Sequence, residues 1–267
     1  NRAFLAPLRN PELIEMYGKT LKGGLMLYGP PGCGKSYIAR ALAGEIGARF
    51  VSVGITEVLD MYIGQSEQKL HALFETARHN SPTVLFFDEL DAIGQKRSQL
   101  KHSGMRSMVN QLLTEMDGAH SNNDNVFVMG ATNHPWDVDS ALRRPGRFDR
   151  IVAVFPPDGD ARQQIFEHHL NGKPTQGLNI ASLVNKTQGF SGADIKHICD
   201  TAAESAIENA INSGKVMPIS QMDLERALRE IKPSTREWFE TARNFATFSN
   251  QSGAYDDLLA YMREHNL

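Results

Sequence analysis

Five short apolar runs punctuate the first 157 residues: GLMLY (24–28), FVSV (50–53), TVLFF (83–87), VFVMGA (126–131) and RIVAVF (150–155). Most are continuously apolar rather than alternating, the pattern of strands covered on both faces of a parallel sheet. Helical periodicity fills the gaps between them. In SEQKLHALFETARH, Leu70, Phe74 and Ala77 recur on one face. In MRSMVNQLLTEMDG the stripe is Met108, Leu112, Leu113 and Met116, and Gly118 ends the run. Strand, crossover helix, strand, repeated, predicts an α/β doubly wound parallel sheet.

After PPDGD (156–160) the strand pattern stops. DARQQIFEHHL, GADIKHICDTAAESAIENAINSG and DLERALREI predict successive helices, the second with Ile195, Ile198, Ala202 and Ala206 on one stripe. A last helix opens at PSTRE, where Ser234 and Glu237 have capping-box spacing and Pro233 blocks continuation from upstream. The expected organisation is an α/β domain over 1–157 and a smaller all-helical domain, with C-terminal helices, over 158–267.

Composition adds exclusions. The chain has 267 residues with 28 basic against 31 acidic, a formal net charge of −3, so nothing global draws it to nucleic acid or anionic lipid. No apolar run approaches the ~18–20 residues of a membrane span, so no membrane segment is expected, and no secretory signal pattern opens the chain. Cys33 and Cys199 are far apart and make no disulfide framework, which favours a reducing, cytoplasmic setting. The chain begins at Asn1 rather than methionine and reads as a piece of something longer.

Candidate chemistry starts at GPPGCGKS (29–36), a GxxxxGK[ST] match between a predicted strand and a predicted helix. Gly29, Gly32 and Gly34 let backbone N–H groups converge on phosphates, Lys35 would reach the β- and γ-phosphates, and the Ser36 hydroxyl would face Mg²⁺. The helix that follows points its positive end at the same anion. Such a loop needs a carboxylate for the metal at the end of a neighbouring buried strand. TVLFFDE supplies one in Asp88, with Glu89 as candidate general base for water.

Four motifs in this order, GPPGCGKS, VLFFDE, GATN (130–133) and ALRRPGRFDR (141–150), resemble the AAA family of ATPases, in its valosin-like, katanin-like and AAA-protease branches. The resemblance runs from about Pro11 to Leu228. It implies an ATP- and Mg²⁺-dependent hydrolase that works as a ring, a homo-hexamer, on protein substrates taken as unfolded or extended polypeptide. It implies nucleotide contacts along Gly29, Pro30, Pro31, Gly32, Cys33, Gly34, Lys35, Ser36 and Tyr37, with Asp88 and Ser36 on the metal. Asn133 matches sensor 1, although alone it is an ordinary turn residue. Arg144 and Arg147 match the arginine fingers that enter the next subunit's site; without the family they read as a solvated loop. Gly192 and Ala193, in GFSGADI, match the second sensor region. His169 stands where relatives place a ribose-contacting histidine, and a surface helix histidine fits equally.

Tyr62 and Ile63, ahead of Gly64 in MYIGQSE, match the first pore loop; without the family they read as core residues. The second pore loop falls within 98–105. Departures are Ala119, where many relatives have phenylalanine, Cys33 in place of threonine, and the lack of an HExxH zinc-protease motif. Three functions compete on this reading: a motor that unfolds or disassembles proteins, a nucleic-acid motor or clamp loader, and an ATP-binding assembly scaffold. The aromatic pore tip and the charge favour the first.

Overall fold

The computed structural model describes residue 16 and residues 24–54, 65–93, 103–118, 123–250 and 253–267. They form two compact units: residues up to Gly29 with Lys35–Ala153, and Pro30–Gly34 with Val154–Leu267.

The first unit holds a five-stranded parallel sheet in the order β2-β3-β4-β1-β5. Its strands are β1 (Gly24–Tyr28), β2 (Arg49–Val53), β3 (Thr83–Phe87), β4 (Val126–Thr132) and β5 (Arg150–Ala153). The predicted apolar runs seed all five. In the centre the expectation of burial on both faces holds, since every residue of β1, β3 and β4 is buried. At the edges it does not. β2 and β5 are half exposed, and Val152 of β5 is 46% exposed, because each has a neighbour on one side only. Helices α1 (Lys35–Glu45), α2 (Gln65–His79) and α4 (Ser103–Asp117) accompany the sheet, with the short α3 (Leu90–Ile93) following β3. Leu70, Phe74 and Ala77 of α2 and Met108, Leu112, Leu113 and Met116 of α4 pack with Met26, Leu85, Phe87 and Phe148 in one core, as the two stripes require.

The second unit is built from α5 (Gly159–Leu170), α6 (Ile180–Lys186), α7 (Gly192–Ser213), α8 (Gln221–Glu230), α9 (Thr235–Phe248) and α10 (Asp256–Glu264). Phe166, Leu183, Ile195, Ile198, Ala202, Ala206 and Leu224 form its core. α7 starts on a full capping box, Ser191 with Asp194, and ends at Gly214 in the left-handed conformation. A two-residue parallel ladder between β6 (Thr175–Gln176) and β7 (Ile219–Ser220), and α6, were not expected, and α10 only as one of unbounded C-terminal helices. These elements are too short for periodicity to register, or lie between stronger signals.

One local expectation is overturned. Ser234 does not cap α9 with its side chain. Its hydroxyl goes instead to Asp194 Oδ2, at 3.1 Å. The hydroxyl donates to a buried carboxylate, a charge-assisted bond, instead of accepting from the helix's own N–H groups.

Candidate active site

Register places the chemistry. β1 and β4 pair so that Tyr28 lies beside Thr132, and β3 pairs with β4 so that Phe87 lies beside Gly130. The residues just past the three strand ends, Gly29, Asn133 and Asp88, therefore gather at the carboxyl edge of the sheet, where open α/β sheets bind ligands.

Lys35 opens α1 and is only 8% exposed. Its ammonium donates to the Gly29 carbonyl at 2.9 Å and to Asn133 Oδ1 at 2.7 Å. The predicted phosphate ligand and the predicted sensor thus touch, although 98 positions separate them in sequence. Ser36 Oγ donates to Asp88 Oδ2 at 2.9 Å. A hydroxyl and a carboxylate side by side are hard oxygen donors of the kind Mg²⁺ takes when substrate phosphates and water complete its shell. Among the described residues no cluster of three or more His, Cys, Asp or Glu could hold a metal by itself.

Glu89 is exposed, and its backbone sits in the left-handed region at φ 50°. A non-glycine residue there is uncommon and carries strain. Its N–H donates to Asp88 Oδ1 at 3.0 Å, so the Asp88 carboxylate is held against the Glu89 backbone. A support that the motifs did not reveal lies next to them: Thr132 Oγ1 donates to Asp91 Oδ1 at 2.6 Å and accepts from the His134 N–H at 2.9 Å. This ties α3 to the turn that carries Asn133. The aspartate three residues after Asp88 was the available signal.

In the second unit, Gly32 has φ 73° and its carbonyl accepts from the Ala193 N–H at 3.2 Å. A Cβ at Gly32 would meet Ala193 Cβ at 2.7 Å and Ser191 Oγ at 2.8 Å, so only glycine fits. The structure therefore joins the loop tip to the predicted second-sensor residues Gly192 and Ala193. Pro30, Pro31 and Gly34 lie in the same tip, Gly34 with φ 89°. Cys33 is a half-buried thiol outside any disulfide, and Tyr37 is 78% exposed. His169 is half-buried, with its ring edge-on to His168. Burial, and then His168, push its pKa down, so it is neutral at pH 7.

The two arginines part company. Arg144 is exposed. Arg147, which the sequence reading left free to reach outward, is held within its own chain by Asp117 and by the Ala141 carbonyl. The reason is local: α4 ends at Asp117 and presents a carboxylate of the right shape for a guanidinium. Tyr62, Ile63, Ala119 and most of 98–105 lie outside the described residues.

A parallel α/β sheet with a glycine loop, a lysine, a serine–aspartate pair and a following glutamate at one edge defines a phosphate-loop nucleotide-binding protein. The family follows from comparison. Residues 25–155 match the family model described as "ATPase family associated with various cellular activities (AAA)", and residues 177–233 match the AAA+ lid domain, together more than half of the chain. The chain belongs to the AAA family. It is 39% identical over 243 residues to the protein SAV of Sulfolobus acidocaldarius, covering 85% of this chain and 31% of that protein. It is 38% identical over 241 residues to the cell division cycle protein 48 homolog of Archaeoglobus fulgidus, covering 85% and 33%. It is 36% identical over 266 residues to the ATP-dependent zinc metalloprotease FtsH 1 of Conexibacter woesei, covering 97% and 39%. The chain spans about a third of the length of these curated relatives. Among the described residues no helix is long and apolar enough to cross a membrane.

Proposed function

We propose that this chain is the ATP-hydrolysing module of a motor that unfolds or disassembles protein substrates, working as a homo-hexamer with Mg²⁺. The observation that carries the catalytic part is the meeting of Lys35 with Asn133 and of Ser36 with Asp88 at one edge of the sheet. Lys35 binds phosphate oxygens of ATP, and Asn133, already bonded to it, orients the attacking water or the γ-phosphate. Asp88 and Ser36 would hold Mg²⁺, whose charge, when bound, offsets that of the phosphate oxygens. Glu89 accepts the proton of the attacking water. Arg144 and Arg147 complete a neighbour's site, and Tyr62 and Ile63 grip the polypeptide in the pore.

Similarity to a cell division cycle protein 48 homolog and to an ATP-dependent protease supports a protein rather than a nucleic acid as substrate. Phosphate release by the wild-type chain and by Glu89→Gln tests the catalytic assignment. The variant retains nucleotide binding and loses roughly 10²-fold or more in turnover, the scale of removing a general base. Near-normal turnover by Glu89→Gln would remove Glu89 from that role.

A further inference from the structure

Ser234 opens α9 yet gives its side chain to another helix. Its N–H and its hydroxyl both donate to Asp194 Oδ2, at 3.1 Å each. The same oxygen accepts the Ser191 N–H at 2.8 Å, and Ser191 Oγ in return accepts the Asp194 N–H at 3.1 Å. Thr235 Oγ1 adds a bond to the Gly189 carbonyl at 2.6 Å. The start of α9 is thus sewn to residues 189–194, and Asp194 is only 8% exposed. Those residues are the ones that bear on the phosphate loop, through Ala193 N–H to the Gly32 carbonyl and through the close approach of Ser191 and Ala193 to Gly32.

We propose that Ser234 is a positioning residue of the nucleotide site. It acts through Asp194 and the 191–193 turn to fix the backbone of Gly32, and so sets the affinity for nucleotide. The physical reason is the shared oxygen. One buried carboxylate oxygen takes three donors, two of them from Ser234, so the shape of the capping turn depends on a residue 40 positions away. Without the Ser234 hydroxyl, Asp194 Oδ2 keeps its two N–H donors but loses one of three, and the turn pressed against Gly32 readjusts. Ser234 itself is exposed, which leaves room for a methyl group.

The inference rests on reading Gly29–Ser36 as a phosphate cradle, and the test separates the two. The dissociation constant of a fluorescent ATP analogue, KM and kcat for ATP, and the thermal unfolding midpoint are measured for the wild-type chain, Ser234→Ala and Ser234→Thr. Ser234→Ala is expected to weaken binding and raise KM about three- to ten-fold, with kcat within about two-fold and the unfolding midpoint unchanged. Ser234→Thr, which keeps the hydroxyl, restores wild-type affinity. Unchanged affinity in Ser234→Ala overturns the proposal. So does a loss of affinity that tracks a fall in unfolding midpoint in both variants, the mark of a purely structural staple. A wild-type chain that binds no nucleotide overturns the cradle reading as well.

Discussion

Arg147 and Asp117 meet as two forks, with Nε donating to Oδ1 and Nη2 to Oδ2, each at 2.7 Å. The third side-chain nitrogen, Nη1, donates to the Ala141 carbonyl at 2.7 Å, so the whole guanidinium is engaged within the chain. If Arg147 serves a neighbouring nucleotide as proposed, this fork has to open first.

The pair has a pH signature. The hydrogen bonds from Arg147 hold the Asp117 carboxyl below the usual carboxylate range, against an opposing effect of burial. A depressed folded pKa means that the stabilisation is present above the unfolded value, ~3.9, and is lost as pH falls through the folded value. Asp117→Asn is therefore expected to cost at most about 1 kcal/mol at pH 7, since the carboxylate is 45% exposed and solvent screens it. The cost stays constant down to about pH 5 and shrinks as pH falls below the unfolded value toward the lower folded one. Urea midpoints of both proteins across this range check it. A gap that persists unchanged at pH 2 contradicts the ion-pair account.

Lys35 and Asn133 predict a split between binding and chemistry. Lys35→Ala removes an ammonium placed for phosphate and is expected to weaken ATP binding by roughly 10²-fold or more, the scale of a lost charge-assisted contact. Asn133→Ala leaves that ammonium in place and is expected to retain most of the affinity while lowering kcat. Calorimetric titration with a non-hydrolysable ATP analogue, set beside phosphate release, checks both. Equal loss of binding in the two variants would show that Asn133 acts mainly by holding Lys35.

The two cysteines should differ sharply in reactivity. Cys199 is fully buried, and burial pushes its thiol up to about 12, so it holds little thiolate at neutral pH. Cys33 is half-buried on the tip of the loop. Iodoacetamide at neutral pH is expected to add one group, at Cys33, to block ATP binding, and to be slowed by saturating Mg·ATP. Intact and peptide mass spectrometry read the site. Modification at Cys199, or a rate at Cys33 indifferent to nucleotide, contradicts this placement.

Much of the first unit was legible from patterns that packing enforces. TVLFF and GLMLY are apolar throughout because they are covered on both faces, and DE after TVLFF marks the strand end that carries the chemistry. RIVAVF looked the same and is an edge strand, because apolar composition does not record how many neighbours a strand has. Lys35, Asp88 and Asn133 announced themselves through local motifs, since backbone geometry confines each to a short signature. The role of Asp194 did not. Its partner Ser234 lies 40 positions on, and its capping spacing with Glu237 suggested a local bond that a tertiary one displaced. The fork at Arg147 was hidden for the same reason: its partner Asp117 is 30 positions away, on the end of another element.

Hydrolysis at Lys35, Asp88 and Glu89 is proposed to drive work on a protein. The most direct measurement follows the fluorescence of a folded, tagged reporter protein mixed with the assembled protein, under ATP, under a slowly hydrolysed ATP analogue, and under ATP with Glu89→Gln. Reporter fluorescence is expected to fall only where the wild-type chain turns over ATP. Brisk phosphate release by the wild type, with every reporter left folded in all three conditions, would contradict it.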